Sequence, residues 1–341
     1  MDGWEENDRS ALQTLMAITP AQTIAVLNHL GIADLLQEGR RGVDELANAS
    51  GAHTLTLYRL LRFAASHGVF TEVESRVFAN TPMSSWLRRD APRSLWWRVE
   101  GDILVKPWLP WQEWIATTMT GEAAYDRMHG RSFWAAIAEN EASRAALDGN
   151  VRAAAELQMP AVLPLLDFAD RHHVVDVGAG WAGWLAAILH DHPHLTGVAF
   201  DLPEAAHVAT TTLESAGVSK RSAFVAGDFF ESVPRGDVML LANVLHDWDD
   251  ARAIAILRCC RDALEPGGVI VGVDRVLPEG DVPHPGKAVD INMLFLLGGR
   301  ERTVRECDEL FAAAGLVVER IVEASSDVSV LTAVAGTEGV T

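Results

Sequence analysis

Cysteine is scarce in this 341-residue sequence, with Cys259, Cys260 and Cys307 as the whole complement. An odd number, an adjacent pair and no C-x-x-C spacing exclude a disulfide framework and a cysteine metal site. All three therefore read as reduced thiols. Basic residues are also short: 28 Lys and Arg stand against 47 Asp and Glu, a net charge of −19. That balance argues against nucleic acid or an anionic membrane surface as the main partner. No apolar run reaches the roughly 20 residues of a membrane span. The opening Met1-Asp2-Gly3-Trp4-Glu5-Glu6 lacks the basic and apolar regions of a signal peptide. Repeats and low-complexity runs are missing, and no long linker occurs beyond 279–285. A cytoplasmic globular chain of about two domains is the expectation.

The stretch that organises the chain is Val174-Val175-Asp176-Val177-Gly178-Ala179-Gly180-Trp181-Ala182-Gly183. Its apolar, β-branched start reads as a buried parallel strand, its glycines as a tight turn, and the apolar run 184–189 as a helix. Glycine suits a backbone that approaches a ligand closely or takes positive φ. Asp201 follows a second strand about 20 residues on, where an acid can accept from ribose hydroxyls. The pattern Gly-x-Gly-x-x-Gly leaves NAD and an adenosine-type cofactor both open. Asp176 stands where a plain dinucleotide fingerprint has an apolar residue. Further on, Gly227-Asp228-Phe229 follows a third strand, so an acid could accept from an adenine amino group while a ring stacks on its face. Together these favour an S-adenosylmethionine (SAM) pocket.

The first hundred residues read as helices over 11–36, interrupted at Pro20, then near 43–47 and over 55–66. Two short strands, 68–73 and 76–80, complete a winged-helix outline. Arg59 and Arg62 are too few for a DNA-reading helix, and the apolar opening helices favour an association surface. Between Trp86 and Trp134 lie seven of the eleven tryptophans: Trp86, Trp96, Trp97, Trp108, Trp111, Trp114 and Trp134. Pro107 and Pro110 cut this segment into short pieces. Such rings serve as core or as faces for a planar aromatic substrate. Met119, Met128 and Met159 could fill core or line a pocket. One long helix is expected over 133–158.

From His173 the pattern alternates strand and helix, implying a parallel sheet covered on both faces. Strands are expected at 174–177, 197–200, 223–226, 238–242 and 269–273, with 317–323 and 328–334 as an antiparallel hairpin at the edge. At the carboxyl end of the fourth strand stands Asn243-Val244-Leu245-His246-Asp247-Trp248-Asp249-Asp250. A histidine there is placed to act as a general base. Asp247, Asp249 and Asp250 read as the cap and first turn of a helix over 251–264.

With these segments in view, the chain resembles the SAM-dependent O-methyltransferases of the plant caffeic-acid and bacterial polyketide-tailoring type. The resemblance is carried by Gly31-Ile32-Ala33-Asp34-Leu35-Leu36, Leu57-Tyr58-Arg59-Leu60-Leu61-Arg62, Asp176-Val177-Gly178-Ala179-Gly180, Leu245-His246-Asp247-Trp248-Asp249-Asp250 and Gly298-Gly299-Arg300-Glu301-Arg302-Thr303. It implies an α/β fold: a Rossmann-like SAM-binding domain with a mostly parallel seven-stranded sheet (161–341) and an N-terminal, mainly α-helical, winged-helix-like dimerisation domain (1–100). A helical connector (101–160) would line the substrate pocket. The resemblance implies that Gly178 and Gly180 approach the methionine part of SAM, with Asp176 beside them. Asp201 and Leu202 would hold the ribose, and Gly227, Asp228 and Phe229 the adenine, with Asn243 and Trp248 also at the cofactor. His246 would take the proton from an acceptor hydroxyl, oriented by Asp274 and Glu301. Ala242 stands where plant members often carry lysine, and Asp274 where many relatives have the longer Glu. S-adenosylhomocysteine (SAH) would be the product; no metal is expected, and a homodimer through the N-terminal domain is.

The chemistry fits the resemblance. A sulfonium methyl is already activated, so in-line approach and a more nucleophilic oxygen suffice. A phenol of pKa about 10 facing a histidine of about 6.5 makes proton transfer in water uphill by roughly 5 kcal/mol. A carboxylate behind the imidazole lowers that cost, and an aliphatic alcohol would be much harder. The expectation is methylation of a phenolic or enolic hydroxyl of an aromatic secondary metabolite, such as a polyketide antibiotic. Arg98, Met128, Phe133, Trp134, Asp290, Asn292, Met293 and Phe295 are candidates for the acceptor pocket. The alternatives are the same scaffold repurposed for decarboxylation, hydroxylation or a pericyclic step, an acidic ligand-binding regulator, and, last, an NAD dehydrogenase.

Overall fold

The computed structural model describes residues 18–91, 94–96, 111–280, 282–325 and 328–336. Trp97, Arg98, Pro107, Trp108 and Pro110 lie outside the described residues, as does the start of the opening helix. The chain divides into two compact units: Met1–Trp111 with Ala145–Asn150, and Gln112–Arg144 with Val151–Thr341.

In the first unit, helix α1 (Ile18–His29) is followed by α2 (Ile32–Leu35), β1 (Arg41–Gly42), α3 (Val43–Ser50) and α4 (Thr54–Ser66). Strands β2 (Phe70–Glu74) and β3 (Val77–Asn80) pair antiparallel, and β1 joins β3 on its other side. The wing is therefore three-stranded, with one strand too short to be read from pattern. Pro20 does not interrupt the opening helix. It lies within the helical residues 18–29, and the chain is helical on both sides of it. The real break is Gly31, left-handed at φ 65°. Leu57, Leu61 and Ala64 recur on one face of α4 and pack with Leu27, Leu46, Phe70 and Phe78 into the core of this unit.

The second unit opens with short helices α6 (Trp111–Thr120), α7 (Ala124–His129) and α8 (Phe133–Glu139), after α5 (Pro82–Ser85) closes the winged segment. The helix expected over 133–158 is broken. Asn140 leaves helical geometry (φ −125°, ψ 107°) and its side chain accepts from the Ser143 N–H, starting a new helix, α9 (Glu141–Val162). Asparagine competes well as a cap because its short amide satisfies a first-turn donor.

Then come β4 (His173–Val177), α10 (Gly183–Asp191), β5 (Thr196–Asp201), α11 (Ala206–Ser215), β6 (Ser222–Ala226), β7 (Gly236–Ala242), α12 (Asp250–Ala263) and β8 (Leu264–Asp274). Strand β9 (Val276–Leu277), α13 (Pro285–Leu296), β10 (Arg302–Thr303) and α14 (Val304–Ala313) precede the hairpin β11 (Leu316–Ser325) and β12 (Val328–Ala335). The seven-stranded sheet runs β11-β12-β8-β7-β4-β5-β6, and only β12 is reversed. Alternate residues divide between two cores. Val174 and Leu240 face Leu185 and Ile188, while Val175, Val177, Met239 and Leu241 face Ile256, Leu257 and Phe311. Both faces are covered, so the inner strands read as unbroken apolar runs. Strand order reverses between β4 and β7, and ligands of such sheets lie outside the strand ends at that point.

Candidate active site

The turn after β4 shows why its glycines are needed. Gly178 and Gly180 have φ of 73° and 52°. A Cβ on Gly178 would come within 2.9 Å of Val244, and one on Gly183 within 2.0 Å of the Trp181 ring folded across it. The Arg152 guanidinium lies 4.5 Å from the centre of that ring. Asp201 closes onto the turn: one carboxylate oxygen accepts from the Gly180 N–H at 2.7 Å, the other from the Leu202 N–H at 2.6 Å.

Beneath the turn lies Asp176, 2% exposed, with Oδ2 free of any hydrogen bond. Burial pushes its carboxyl up to about 7, aided by the negative charge of Asp201 and opposed by the Leu185 N–H. Across the strand end, Asn243 adopts φ 55° and its amide donates to Gln158 Oε1 at 3.1 Å. Left-handed geometry is tolerated by Asn better than by most residues.

On the other side of the turn, Asp228 accepts from the Phe230 N–H and closes its own loop. The Phe229 ring edge lies 3.6 Å from where a Gly178 Cβ would be, and Gly227 has room for none because the Phe200 ring lies at 2.5 Å. Trp248 packs edge-on against Phe229 and Phe230, at 5.9 and 4.9 Å between ring centres, and lies nearly parallel to Trp134 at 6.3 Å. Glycines, carboxylates and aromatic rings therefore share one end of the sheet.

His246 sits in a single turn between β7 and α12 and is 11% exposed. Three carboxylates surround it. Nδ1 lies 3.2 Å from Asp274 Oδ1 and 3.3 Å from Glu301 Oε1, while Nε2 lies 3.3 Å from Asp247 Oδ1. Aspartate therefore reaches the histidine despite its shorter side chain. Asp247 is a correction: it faces the imidazole instead of capping α12, and Asp249 alone provides the cap by accepting from the Arg252 N–H. Burial alone would lower the histidine's pKa. Glu301, Asp247 and Asp274 overcome that and hold it well above 6.5. Burial also raises the Asp247 carboxyl, against the pull of His246.

The segment 298–303 fixes this arrangement. Gly299 packs on the histidine turn so tightly that a Cβ would stand 2.2 Å from the His246 carbonyl oxygen. The Arg300 N–H donates to that same oxygen at 2.9 Å. Buried Arg302 donates to the carbonyls of Leu245 and Trp248 and to Asp250, pinning both ends of the turn. Asp290 accepts from the Glu301 N–H at 2.9 Å, and Arg275 lies 3.7 Å from the Glu301 carboxylate. Sequence reasoning singled out this segment but missed the parts played by Arg302, Asp290 and Arg275. A buried arginine following an acid gave the only signal.

The other acceptor-pocket candidates are spread out. Phe133 and Trp134 contact each other at 5.2 Å, and buried Phe295 packs on Trp114 at 4.1 Å. Asn292 and Met293 are half-buried on α13, whereas Met128 is 45% exposed. The Trp134 indole N–H is buried without a partner.

Residues 108–317 match the O-methyltransferase domain, and residues 12–90 match the O-methyltransferase dimerisation domain. The chain belongs to the O-methyltransferase family. It is 39% identical to the phenazine O-methyltransferase PhzM of Lysobacter antibioticus, over 94% of each chain. Among solved structures, LaPhzM superposes with a TM-score of 0.87 at 37% identity, covering 97% of this chain and 100% of the other. NcsB1 from neocarzinostatin biosynthesis, solved with SAH and 1,4-dihydroxy-2-naphthoic acid, has a TM-score of 0.80 at 34% identity, covering 93% and 96%. The relatives also include the aclacinomycin 10-hydroxylase RdmB of Streptomyces purpurascens, 32% identical over 90% of this chain and 82% of that one. A phenazine-1-carboxylate N-methyltransferase of Pseudomonas aeruginosa is 30% identical over 92% and 93%. As a member of this family the chain is a SAM-dependent methyltransferase. The residues present fit the cofactor: a turn with left-handed glycines at 178 and 180, open space beside Gly180, and a buried acceptor, Asp176 Oδ2, without a donor. Among the described residues no helix is long and apolar enough to cross a membrane.

Proposed function

We propose that this methyltransferase methylates a phenolic or enolic hydroxyl of an aromatic natural product, with His246 taking the proton. The observation that carries the reading is the imidazole held among Asp247, Asp274 and Glu301 at 3.2–3.3 Å, at the strand end beside the glycine turn. Bound SAM supplies a methyl group already activated on a sulfonium sulfur. Gly178 and Gly180 would leave room for its methionine part, and the unpartnered Asp176 Oδ2 would accept from the ammonium. Asp201 keeps lone pairs for the ribose after its two backbone bonds, with Leu202 alongside. Gly227, Asp228, Phe229 and Trp248 would frame the adenine, and Asn243 would also contact the cofactor.

His246 accepts the hydroxyl proton at Nε2, while Nδ1 faces the Asp274 and Glu301 carboxylates at 3.2 and 3.3 Å. The raised basicity of the imidazole narrows the roughly 5 kcal/mol gap to a free phenol. That matters more for an oxygen acceptor than for a neutral amine, which attacks without first losing a proton. Trp134, Met128, Asn292, Met293 and Phe295 would line the acceptor site, in keeping with the aromatic ligand of NcsB1. The matched dimerisation domain supports a homodimer built through the N-terminal unit.

The test is His246→Ala. Turnover on a panel of phenols should fall at least about 100-fold, with the Kd for SAM within a few-fold of native. Unchanged turnover would show that positioning alone drives transfer. Turnover on aromatic amines but not phenols would favour N-methylation, and consumption of a substrate without SAH release would favour a repurposed reaction, as in the hydroxylase relative.

A further inference from the structure

We propose that His246, Asp274 and Glu301 form a three-point site for a divalent transition cation of the zinc class, and that its occupation switches methyl transfer off. The three donor atoms, Nδ1, Oδ1 and Oε1, all lie within 4.8 Å of one another. The two edges that meet at the histidine measure 3.2 and 3.3 Å. A tetrahedral zinc with bonds of about 2.0–2.1 Å has ligand-to-ligand edges of roughly 3.3–3.4 Å. β7, β8 and the segment before β10 already bring two of the three edges to about that length, and the third, between the two carboxylates, lies within 4.8 Å.

The site also holds acceptors without a hydrogen-bond donor, with the Arg275 guanidinium 3.7 Å from Glu301 Oε1 as the cation a metal would compete with. Both Glu301 oxygens and Asp274 Oδ1 are buried and make no hydrogen bond, and the Glu301 side chain is 0% exposed. A cavity of about 20 Å³ adjoins them, lined by His246, Asp274, Glu301, Arg275 and Cys307 among others. That is enough for one water-sized occupant, which would complete four-coordination. Two carboxylates and an imidazole suit zinc, cobalt or copper better than calcium or magnesium, which prefer oxygen-only shells. The net charge of −19 raises the local concentration of any divalent cation. A metal on Nδ1 stands between the imidazole and the two carboxylates that face it, so the ring is no longer held and supported by them.

The inhibitory half rests on His246 being the proton acceptor; the binding half does not. Cobalt(II) chloride is titrated into the full-length, cofactor-free protein, following the visible absorption of tetrahedral cobalt, with zinc chloride as competitor. One ion per chain is expected. Glu301→Gln and Asp274→Asn, each nearly isosteric, should weaken it at least about 10-fold, and His246→Ala should abolish the absorption. Zinc should inhibit turnover over the same concentrations at which it displaces cobalt, reversibly on chelation. Failure of native protein to bind, or binding unchanged in both carboxylate variants, overturns the site. Cobalt bound there with undiminished turnover leaves the site standing and overturns the role of His246.

Discussion

Replacing Asp176 with Asn should make the cofactor-free protein more stable and the enzyme worse. The carboxyl is buried and held at about 7, against 3.8 for an ordinary aspartate. The sign follows from linkage: a raised folded pKa means that stability is fully present below 3.8 and drains away as pH climbs to 7. About three units at 1.36 kcal/mol each makes the charged form costly by about 4 kcal/mol at pH 8. Asn cannot ionise and escapes that cost, but its amide N–H group replaces the unpartnered Oδ2, a penalty of about 1–3 kcal/mol. A net gain of about 1–3 kcal/mol is expected at pH 8. The penalty cancels when two pH values are compared. Between pH 5.5 and 8 the variant's advantage should grow by about 2 kcal/mol, or roughly 4–8 °C in Tm for a domain of this size. Thermal unfolding of both proteins without cofactor, at the two pH values, measures it. An equal difference at both would refute the assignment of an ionising, strained Asp176. Calorimetry should show the reverse for function, with the Kd for SAM raised at least about 10-fold as the acceptor for its ammonium is lost.

Glu301→Gln should move the rising limb of kcat/KM to lower pH, because the carboxylate that stabilises protonated His246 is gone. A pH–rate profile checks this, and an unmoved limb would remove Glu301 from the base. Gly299→Ala places a methyl group on backbone atoms of the histidine turn. It should cost about 1–3 kcal/mol in stability and more than about 10-fold in turnover while sparing SAM affinity; a fully active variant would mean that the turn tolerates displacement.

Much of the sheet was legible because buried strands announce themselves as β-branched runs between turn residues. The glycine turn and its acids were legible as well, since close backbone approach leaves few residue choices. Three features were not. Asn140 splits a pattern whose apolar spacing runs straight across it, because a single cap outweighs periodicity. Asp247 looked like part of an acidic helix start, and only the fold shows the carboxylate turned back on its neighbour's ring. Glu301 and Asp290 gain their relation across 11 positions, from the middle of α13 through the loop that follows it, which no local rule specifies. The acceptor pocket was least legible, since its candidate rings come from α8 and α13, far apart in the chain.

The reversed strand β12 carries a cost in time. It lies between β8 and β11, and Ser329 pairs with Asp274 itself. On the ribosome, 55 residues separate the emergence of those two positions, about 3–11 s at roughly 5–20 residues per second. For that interval β8, with one of the acids of the histidine cluster at its tip, presents an unpaired hydrogen-bonding edge. The nascent enzyme is thus open to wrong partners at the strand that its chemistry depends on, until β12 closes that edge.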